Sequence, residues 1–504
     1  KLNRVVLAAC TPRNLEPLFR KTVEEAGLNP YLFEMTNIRE HSSWVHSKEP
    51  EKATSKAKEL VNMGIAKAGH LSPEEKGKAS IDGSALVIGG GIAGMTSALE
   101  ISRQGFKVDI IEKSSKLGGA INEAHTLFMD ESEPTEILTP ILNKVKSQEN
   151  ITVHLNSKVS NVEGYTGNFK IKIKELNGSK NDQELKSGAI LLATGSRELK
   201  PEGSYLYGKN TNVLTLRDLE KALVSDDFSC DNMAIIQCVD ARNDERPYCS
   251  RTCCLDAIKN AIVLKKKNPK LNIYILYRDI MTFGLYEEYY RESQEKYGIK
   301  YIRYTPSSPP TVNSIGDKLS VNVYDTHLGQ EIEIEVDKLL LSTPQIPSEG
   351  IDELQKVLRV PTSSDGFFME AHPKLRPLRF TLGGLYLAGN CQSPKEVSQV
   401  IAQATGVASR ITALLSQEMM ETEANTAVVD PNSCIGCGRC MDVCNFRAIS
   451  LEANHNNDLK SVINSAVCKG CGACSSVCPN AAITARLFTN TQIYAMIDEL
   501  LEEA

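Results

Sequence analysis

Eight cysteines in two short runs constrain this chain more tightly than any other feature. They read Cys434-x2-Cys437-x2-Cys440-x3-Cys444 and Cys468-x2-Cys471-x2-Cys474-x3-Cys478-Pro479. Thiolates at this spacing hold [4Fe–4S] cubanes, and in a two-cluster chain the fourth Cys of each run serves the other cluster. The expected ligand sets are therefore Cys434, Cys437, Cys440 and Cys478 for one cluster, with Cys468, Cys471, Cys474 and Cys444 for the other. Gly436, Gly438, Gly470 and Gly472 let the backbone wrap closely around a cubane, because they carry no Cβ. Repeated Cys-x2-Cys pairs also suit tetrahedral zinc. Three close cysteines plus a fourth, twice over and with a trailing Pro, favour clusters instead. Such a segment handles single electrons.

A second motif lies far upstream. Ala85-Leu-Val-Ile88 reads as a buried strand, Gly89-Gly-Gly91-Ile92-Ala93-Gly94 as a glycine turn, and Met95 to Gln104 as a helix. This is G-x-G-x-x-G in the strand–turn–helix context that gives it meaning. Gly89 makes the turn, Gly91 lets a pyrophosphate approach the backbone, and Gly94 allows close helix packing. The next strand, Lys107-Val-Asp-Ile-Ile111, ends at Glu112 and Lys113. Glu112 is the expected acceptor for a ribose 2′-hydroxyl, which selects an adenine dinucleotide lacking a 2′-phosphate. Lys116-Leu-Gly118-Gly119 follows. Ile190-Leu-Leu-Ala-Thr194-Gly195 and Gly384-Leu-Tyr-Leu-Ala-Gly389-Asn390 come later, and together these point to FAD rather than NAD. Asn390 stands where an acid is usual, yet it can still hydrogen-bond a hydroxyl. Val159 completes the expected FAD-binding set.

Flavoproteins of this kind usually carry a second dinucleotide turn. Here the corresponding strand, Met233 to Cys238, runs into Val-Asp-Ala-Arg-Asn-Asp-Glu-Arg246 with no glycine. Side chains at every position would keep a pyrophosphate from the amides, so this half is expected to have lost nicotinamide binding. The resulting domain plan is a partial small α/β domain at 1–75, a FAD-binding part at 80–225, and a degenerate NAD(P)-type domain at 226–345. The chain then returns to the FAD part over 346–416, enters a two-cluster domain at 428–486 and ends in a helix over 487–504. Leu71–Lys78 and Gln417–Asn425 read as connectors, and no repeat is visible beyond the doubled quartet.

Composition sets outer limits. With 504 residues, 41% hydrophobic and 24% charged, the chain is an ordinary globular one of about three domains. A net charge of −6 argues against nucleic-acid binding, which needs a basic footprint. No apolar run is long enough to span a membrane. Fifteen cysteines, eight of them in the quartets, fit a reducing cytoplasm better than a disulfide framework. The chain starts at Lys1 with no signal pattern, so upstream sequence is expected to be missing or processed.

Asn29-Pro-Tyr-Leu-Phe-Glu-Met35, Asn37-Ile-Arg-Glu40, Tyr248-Cys-Ser-Arg-Thr-Cys-Cys254, Tyr277-Arg-Asp279 and Phe367-Phe-Met-Glu-Ala-His-Pro-Lys-Leu-Arg376, with the cysteine-rich tail, resemble the A-type subunits of heterodisulfide reductase. The resemblance covers essentially the whole chain. It implies an α/β, thioredoxin-reductase-like two-dinucleotide-binding flavoprotein core with a C-terminal α+β bacterial 2[4Fe-4S] ferredoxin domain. FAD and two [4Fe-4S] clusters are the implied cofactors. The implied partners are heterodisulfide reductase B- and C-type subunits, ferredoxin, and the electron-input subunit of a hydrogenase or formate dehydrogenase, in a complex containing a homodimer. The flavin would split electron pairs between ferredoxin and a disulfide-reducing branch. An electron relay of sulfur metabolism and a non-redox FAD-bound scaffold are the alternatives.

Departures from the family point to a short variant. Long members insert a second ferredoxin module after the Leu-Gly-Gly loop, whereas residues 120–229 here contain no Cys. A family cluster near the N-terminus would match Cys10, but Ser42 stands at another ligand position. Lys395 follows the strand expected to face the flavin, and a cation there would tune its potential. Cys249, Cys253 and Cys254 read either as a thiol set or as small apolar residues opening a helix.

Overall fold

The computed structural model describes residues 2–128, 132–177, 183–225, 227–422 and 424–502. It divides into two units, one of residues 81–418 and one joining residues 2–80 to 419–502. The sequence placed these two terminal stretches in separate domains, whereas the structure packs them together.

The larger unit is built on two parallel sheets. In the first, strands Leu385–Leu387, Ala189–Leu192, Ser84–Ile88, Lys107–Ile111 and Ile151–His154 lie side by side in that order. Residues alternate between two apolar layers, with Ala85 and Val87 in one and Leu86 and Ile88 in the other. A strand buried on both faces must be apolar at every position, which explains the unbroken Ala85–Ile88 run. Helices Ile92–Ser102 and Val397–Leu415 cover one face. A three-stranded antiparallel sheet (Ser157–Tyr165, Asn168–Glu175, Gln183–Ser187) contributes to the other layer.

The second sheet repeats this plan without the glycines. Strands Val213–Thr215, Lys338–Leu341, Asn232–Ile236, Asn272–Tyr277 and Lys300–Arg303 are parallel and adjacent in that order. Helix Cys253–Lys267 packs in one layer and a three-stranded antiparallel sheet in the other. The fold is therefore doubled where the sequence shows no repeat, because burial preserves the apolar pattern and leaves the turn residues free. A short antiparallel ribbon, Ser196–Glu198 with Gln345–Pro347, joins the two halves.

A buried ion pair also fastens them. Lys259 of helix Cys253–Lys267 pairs with Glu220 of helix Leu216–Val224. Lys259 Nζ also donates to Thr126 O (2.8 Å), and His125 N donates to Glu220 Oε2 (2.5 Å). The second half thus grips the loop that follows Gly118 and Gly119.

In the smaller unit, parallel strands Val5–Ala9 and Phe33–Asn37 carry helices Pro12–Glu25 and Pro50–Gly69. The expected connectors both contain strand, since Gly77–Ser80 pairs antiparallel with Met419–Thr422. Residue 423 of the second connector lies outside the described residues. Tyr31 Oη accepts from Ala424 N at 2.8 Å, and Arg486 pairs with Glu74 at 3.0 Å. Lys67 pairs with Glu34 at 2.8 Å while its Nζ stands 4.2 Å from the Phe488 ring centre. The final helix, Asn490–Glu502, lies against Pro50–Gly69. Residues 503 and 504 of the expected end helix are outside the described residues.

Removing one partner of a buried pair strands the other charge. Lys259→Met should therefore lower the stability of the larger unit by about 3–5 kcal/mol. The double replacement Lys259→Met/Glu220→Leu should recover most of that loss, checked as the shift of its thermal transition.

Candidate functional site

The first site forms where three neighbouring strands of the first sheet end. Gly89 takes φ +111°, and a Cβ there would lie 2.4 Å from Ala193 O. A Cβ on Gly94 would meet Gly89 O at 1.9 Å, so both contacts require glycine. Gly91 differs, because its Cβ would find nothing nearer than Gly119 Cα at 3.9 Å. That open space lies at the N-terminus of helix Ile92–Ser102, where free amides and the helix dipole favour a phosphate. Ile92 and Ala93 form the first turn of that helix and are buried.

Glu112 sits at the end of the next strand, buried, and folds its carboxylate back onto the turn. Its Oε2 accepts from Gly90 N (2.6 Å) and its Oε1 from Ser114 N (2.8 Å). Each oxygen keeps a lone pair for a sugar hydroxyl. Lys113 is exposed, and Gly118 N donates to Gly90 O at 2.9 Å, which brings the Gly118–Gly119 turn beside Gly91. The Val159 side chain is taken up by the apolar layer, leaving only its backbone for contact.

Thr194 and Gly195 follow the central strand. Thr194 Oγ1 is buried with no hydrogen-bond partner, and a Cβ on Gly195 (φ +70°) would meet nothing within 4 Å. A buried hydroxyl without a partner is costly, so it marks space shaped for a polar group. Gly389 (φ +77°) lies against Ala93, and Asn390 Oδ1 accepts from Lys395 N at 3.0 Å. The open glycines, the free hydroxyl and the acid fit an adenine dinucleotide carrying a flavin.

Lys395 is largely buried beside this strand end. Its Nζ donates to Ser393 O (2.9 Å) and Ser393 Oγ (2.7 Å). Burial, helped by the charge of Arg251 and opposed by Cys391 and Glu370, lowers its amine to about 8.

The corresponding corner of the second half is built differently. Its turn takes left-handed conformation at Cys238, Asp240 and Arg242 (φ 60°, 53° and 54°). Arg278 donates to the carbonyls of Ala241 (3.2 Å) and Arg242 (3.1 Å), and Arg246 donates to that of Asp240 (3.3 Å). Guanidinium groups thus satisfy a turn that presents carbonyls, the reverse of a phosphate cradle.

Four thiols gather at the same corner. Burial and the neighbouring Cys253 push Cys238 up to about 11. Burial raises Cys249 as well, with Cys253 contributing. Cys253 is raised by its hydrogen bond with Cys254, then by burial. The sequence grouped Cys249, Cys253 and Cys254; Cys238 was missed because only the fold brings the strand end to the helix start.

The eight quartet cysteines surround a pseudo-twofold module. Strand pairs Ala427–Val429 with Ile483–Ala485 and Ile449–Ala453 with Leu459–Ile463 frame it, and short helices Arg439–Asp442 and Ala473–Ser476 carry the middle thiols. Cys444, Cys468, Cys471 and Cys474 line one pocket, the set that crossed ligation requires. Amides point at the sulfurs in matched pairs. Ser461 N donates to Cys434 Sγ (3.5 Å) and Ala427 N to Cys468 Sγ (3.4 Å). Ala448 N donates to Cys444 Sγ (3.3 Å) and Ala482 N to Cys478 Sγ (3.2 Å). Burial works against the Cys434 thiolate, yet the amides of Ser461 and Gly436 outweigh it and lower its pKa. Among the described residues no three His, Cys, Asp or Glu side chains are placed to hold a single metal ion. Thiols ringing a pocket and met by amides fit a multinuclear cluster.

Family models span much of the first site and all eight quartet cysteines. A pyridine nucleotide-disulphide oxidoreductase model matches residues 83–228, and a 4Fe-4S dicluster domain model matches residues 427–485. The A-type subunit of the H(2):CoB-CoM heterodisulfide,ferredoxin reductase of Methanothermobacter marburgensis is 38% identical, over 100% of this chain and 89% of the relative. The chain belongs to the family of heterodisulfide reductase A-type subunits. A second member, the iron-sulfur A-type subunit of the CoB--CoM heterodisulfide reductase of Methanocaldococcus jannaschii, is 35% identical over 99% of this chain and 90% of its own. The first alignment runs over 592 positions against 504 residues here, so the relative fills positions that this member lacks. Among solved structures, Lactococcus lactis thioredoxin reductase matches 66% of this chain and 99% of its own, with TM-score 0.47 and 17% identity. This family member is an oxidoreductase with a pyridine nucleotide-disulphide oxidoreductase domain and a C-terminal 4Fe-4S dicluster domain. Among the described residues no helix is long and apolar enough to cross a membrane.

Gly91→Val would place methyl groups in the open phosphate space. It should weaken FAD binding at least tenfold, about 1.4 kcal/mol, read from flavin absorbance after desalting, with iron content unchanged.

Proposed function

We propose that this chain is the flavin-bearing electron hub of a cytoplasmic heterodisulfide-reductase-type complex. Two-electron equivalents enter at FAD, and single electrons leave through two [4Fe-4S] clusters. The observation carrying this reading is the joint presence of a cradle with an unfilled phosphate space and an unpartnered Thr194 hydroxyl, and a crossed thiol module met by amides. FAD, when bound, supplies the exchange between paired and single electrons.

The chain's own residues divide the work. The amides at the start of helix Ile92–Ser102 hold pyrophosphate, Glu112 holds the ribose, and Gly118 and Gly119 close over the phosphates. Thr194, Gly195, Gly389 and Asn390 meet the ribityl chain and ring, and Lys395 presents its amine to the ring edge. Cys434, Cys437, Cys440 and Cys478 hold one cluster; Cys468, Cys471, Cys474 and Cys444 hold the other. The arginine-filled turn of the second half supports loss of nicotinamide binding, so electrons reach the flavin from protein partners. Those partners are B- and C-type subunits, ferredoxin, and the electron-input subunit of a hydrogenase or formate dehydrogenase, around a homodimer. A bound flavin would supply the splitting of the pair between ferredoxin and the disulfide-reducing branch that the family resemblance implies. The thiol set Cys238, Cys249, Cys253 and Cys254 offers ligands for a third iron–sulfur centre.

Iron quantitation tests the cluster assignment. About eight iron atoms per chain correspond to the two quartets alone, and about twelve add the third set. In the second case Cys249→Ala should return the content to about eight, whereas Cys10→Ala should leave it unchanged.

Lys395 gives a pH signature. Its amine is charged below about pH 8 and neutral above it. A cation there stabilises negative charge gained on reduction, so the flavin potential should be raised below pH 8 and lose that contribution above. Lys395→Met should lower the potential at pH 7 and remove the inflection, as measured by potentiometric titration of the flavin absorbance.

A further inference from the structure

The two halves of the cysteine module correspond at an offset of 34 residues, Cys434 with Cys468 through to Cys444 with Cys478. A strand precedes each run, Ala427–Val429 before the first and Leu459–Ile463 before the second. Each strand serves the opposite run. Ala427 N donates to Cys468 Sγ at 3.4 Å, and Ser461 N donates to Cys434 Sγ at 3.5 Å. Ala427 and Ser461 each lie seven residues ahead of their own run, so they are equivalent by position and by contact. The amides of Ala448 and Ala482 match in the same way on Cys444 and Cys478. The backbone therefore treats both ligand sets alike.

The side chains of that equivalent pair differ. Ser461 Oγ lies 3.1 Å from Cys440 Sγ, and both residues are buried. A thiolate holding iron carries no proton, so the hydroxyl is the donor. Cys474, the counterpart of Cys440, is also buried, but the Ala427 that lines the same pocket carries only a methyl group. Among the described residues no other side-chain hydroxyl bonds to a quartet sulfur. One ligand set thus receives a donor that a single residue difference denies to the other.

Charges of both signs surround the module. Asp430, Asp442, Asp458 and Arg439 near the first run and Lys469 in the second are all exposed, where water and salt screen them. Half-buried Lys460 donates to Cys434 O at 2.6 Å and favours negative charge on the same side. The Ser461 bond lies inside the module, where a low local dielectric strengthens it.

We propose that the Ser461 hydroxyl sets the cluster held by Cys434, Cys437, Cys440 and Cys478 at a higher reduction potential than its neighbour, so that an electron entering the module comes to rest on that side. This rests on the electron-hub reading and adds to it an order between the two clusters. Ligand sulfurs gain negative charge on reduction, and a donor to one of them stabilises the reduced form. The step is a single electron transfer. Iron of the second set is oxidised, iron of the first is reduced, and no proton or covalent bond changes.

The test is a redox titration of the full-length holoprotein, followed by paramagnetic resonance of the reduced clusters. Ser461→Ala should make the higher-potential cluster of the module about tenfold harder to reduce, a shift of about 59 mV for one electron, and leave the other in place. The mirror variant Ala427→Ser should raise the lower-potential cluster by a similar amount. Both shifts should persist in about 1 M salt, where exposed charges are screened. A variant that keeps its iron and moves neither cluster, or moves the opposite one, would overturn the inference. If Ser461→Ala loses iron, Ala427→Ser decides alone by the same criterion. Parent protein with fewer than about eight iron atoms per chain would fail the hub reading itself, whereas full iron with unmoved potentials would fail only the role of Ser461.

Discussion

The larger unit depends on one close approach. Gly89 passes so near Ala193 that a single methyl group would collide with its carbonyl, and Gly94 is pressed against Gly89 in the same way. Because neither carries a Cβ, three strand ends and the start of a helix converge on one corner. Glu112 then ties the turn from the side, and Gly91 is left facing open space. The flavin cradle is what remains when backbone is allowed this close and nothing fills the gap. The second half shows the converse. It has the same sheet and layers, but a turn with side chains at every position, satisfied by Arg246 and Arg278. One plan thus yields once an open glycine cradle and once an arginine-satisfied turn beside a group of thiols.

Much of this was legible in the sequence because both motifs are local. Strand, glycine turn, helix and acid lie within about thirty residues, and each quartet within eleven. Local spacing reports local geometry, so the glycine turn and both cysteine quartets could be picked out directly. What escaped was long-range. Nothing near Lys259 in the chain names Glu220 as its partner, and nothing near Cys238 points to Cys253. The N-terminal strands and final helix were read as separate pieces because their shared contacts, such as Tyr31 with Ala424, join residues hundreds of positions apart. The doubled sheet was expected from the likeness to two-dinucleotide-binding flavoproteins and not from any repeat in the chain. Burial asks only for apolar residues, which carry no repeat signature of their own.

The buried pair Lys259–Glu220 and the ribbon Ser196–Glu198 with Gln345–Pro347 give the two halves of the flavin unit a fixed relation. The pair grips Thr126 and His125 just beyond the glycine loop. Here residues 120–229 hold no cysteine, and the loop docks onto the second half instead of carrying a further cysteine module. On the proposed reading, the C-terminal quartets are the module through which electrons reach other proteins.

The central claim is that flavin and clusters in this chain form one electron path. Its most direct measurement is photoreduction of the flavin in the purified holoprotein, followed by freeze-quench paramagnetic resonance and flavin absorbance on the same samples. The account predicts that the signal of reduced clusters rises as flavin absorbance returns, with one cluster reduced per electron lost. A flavin that stays reduced beside oxidised clusters would contradict it.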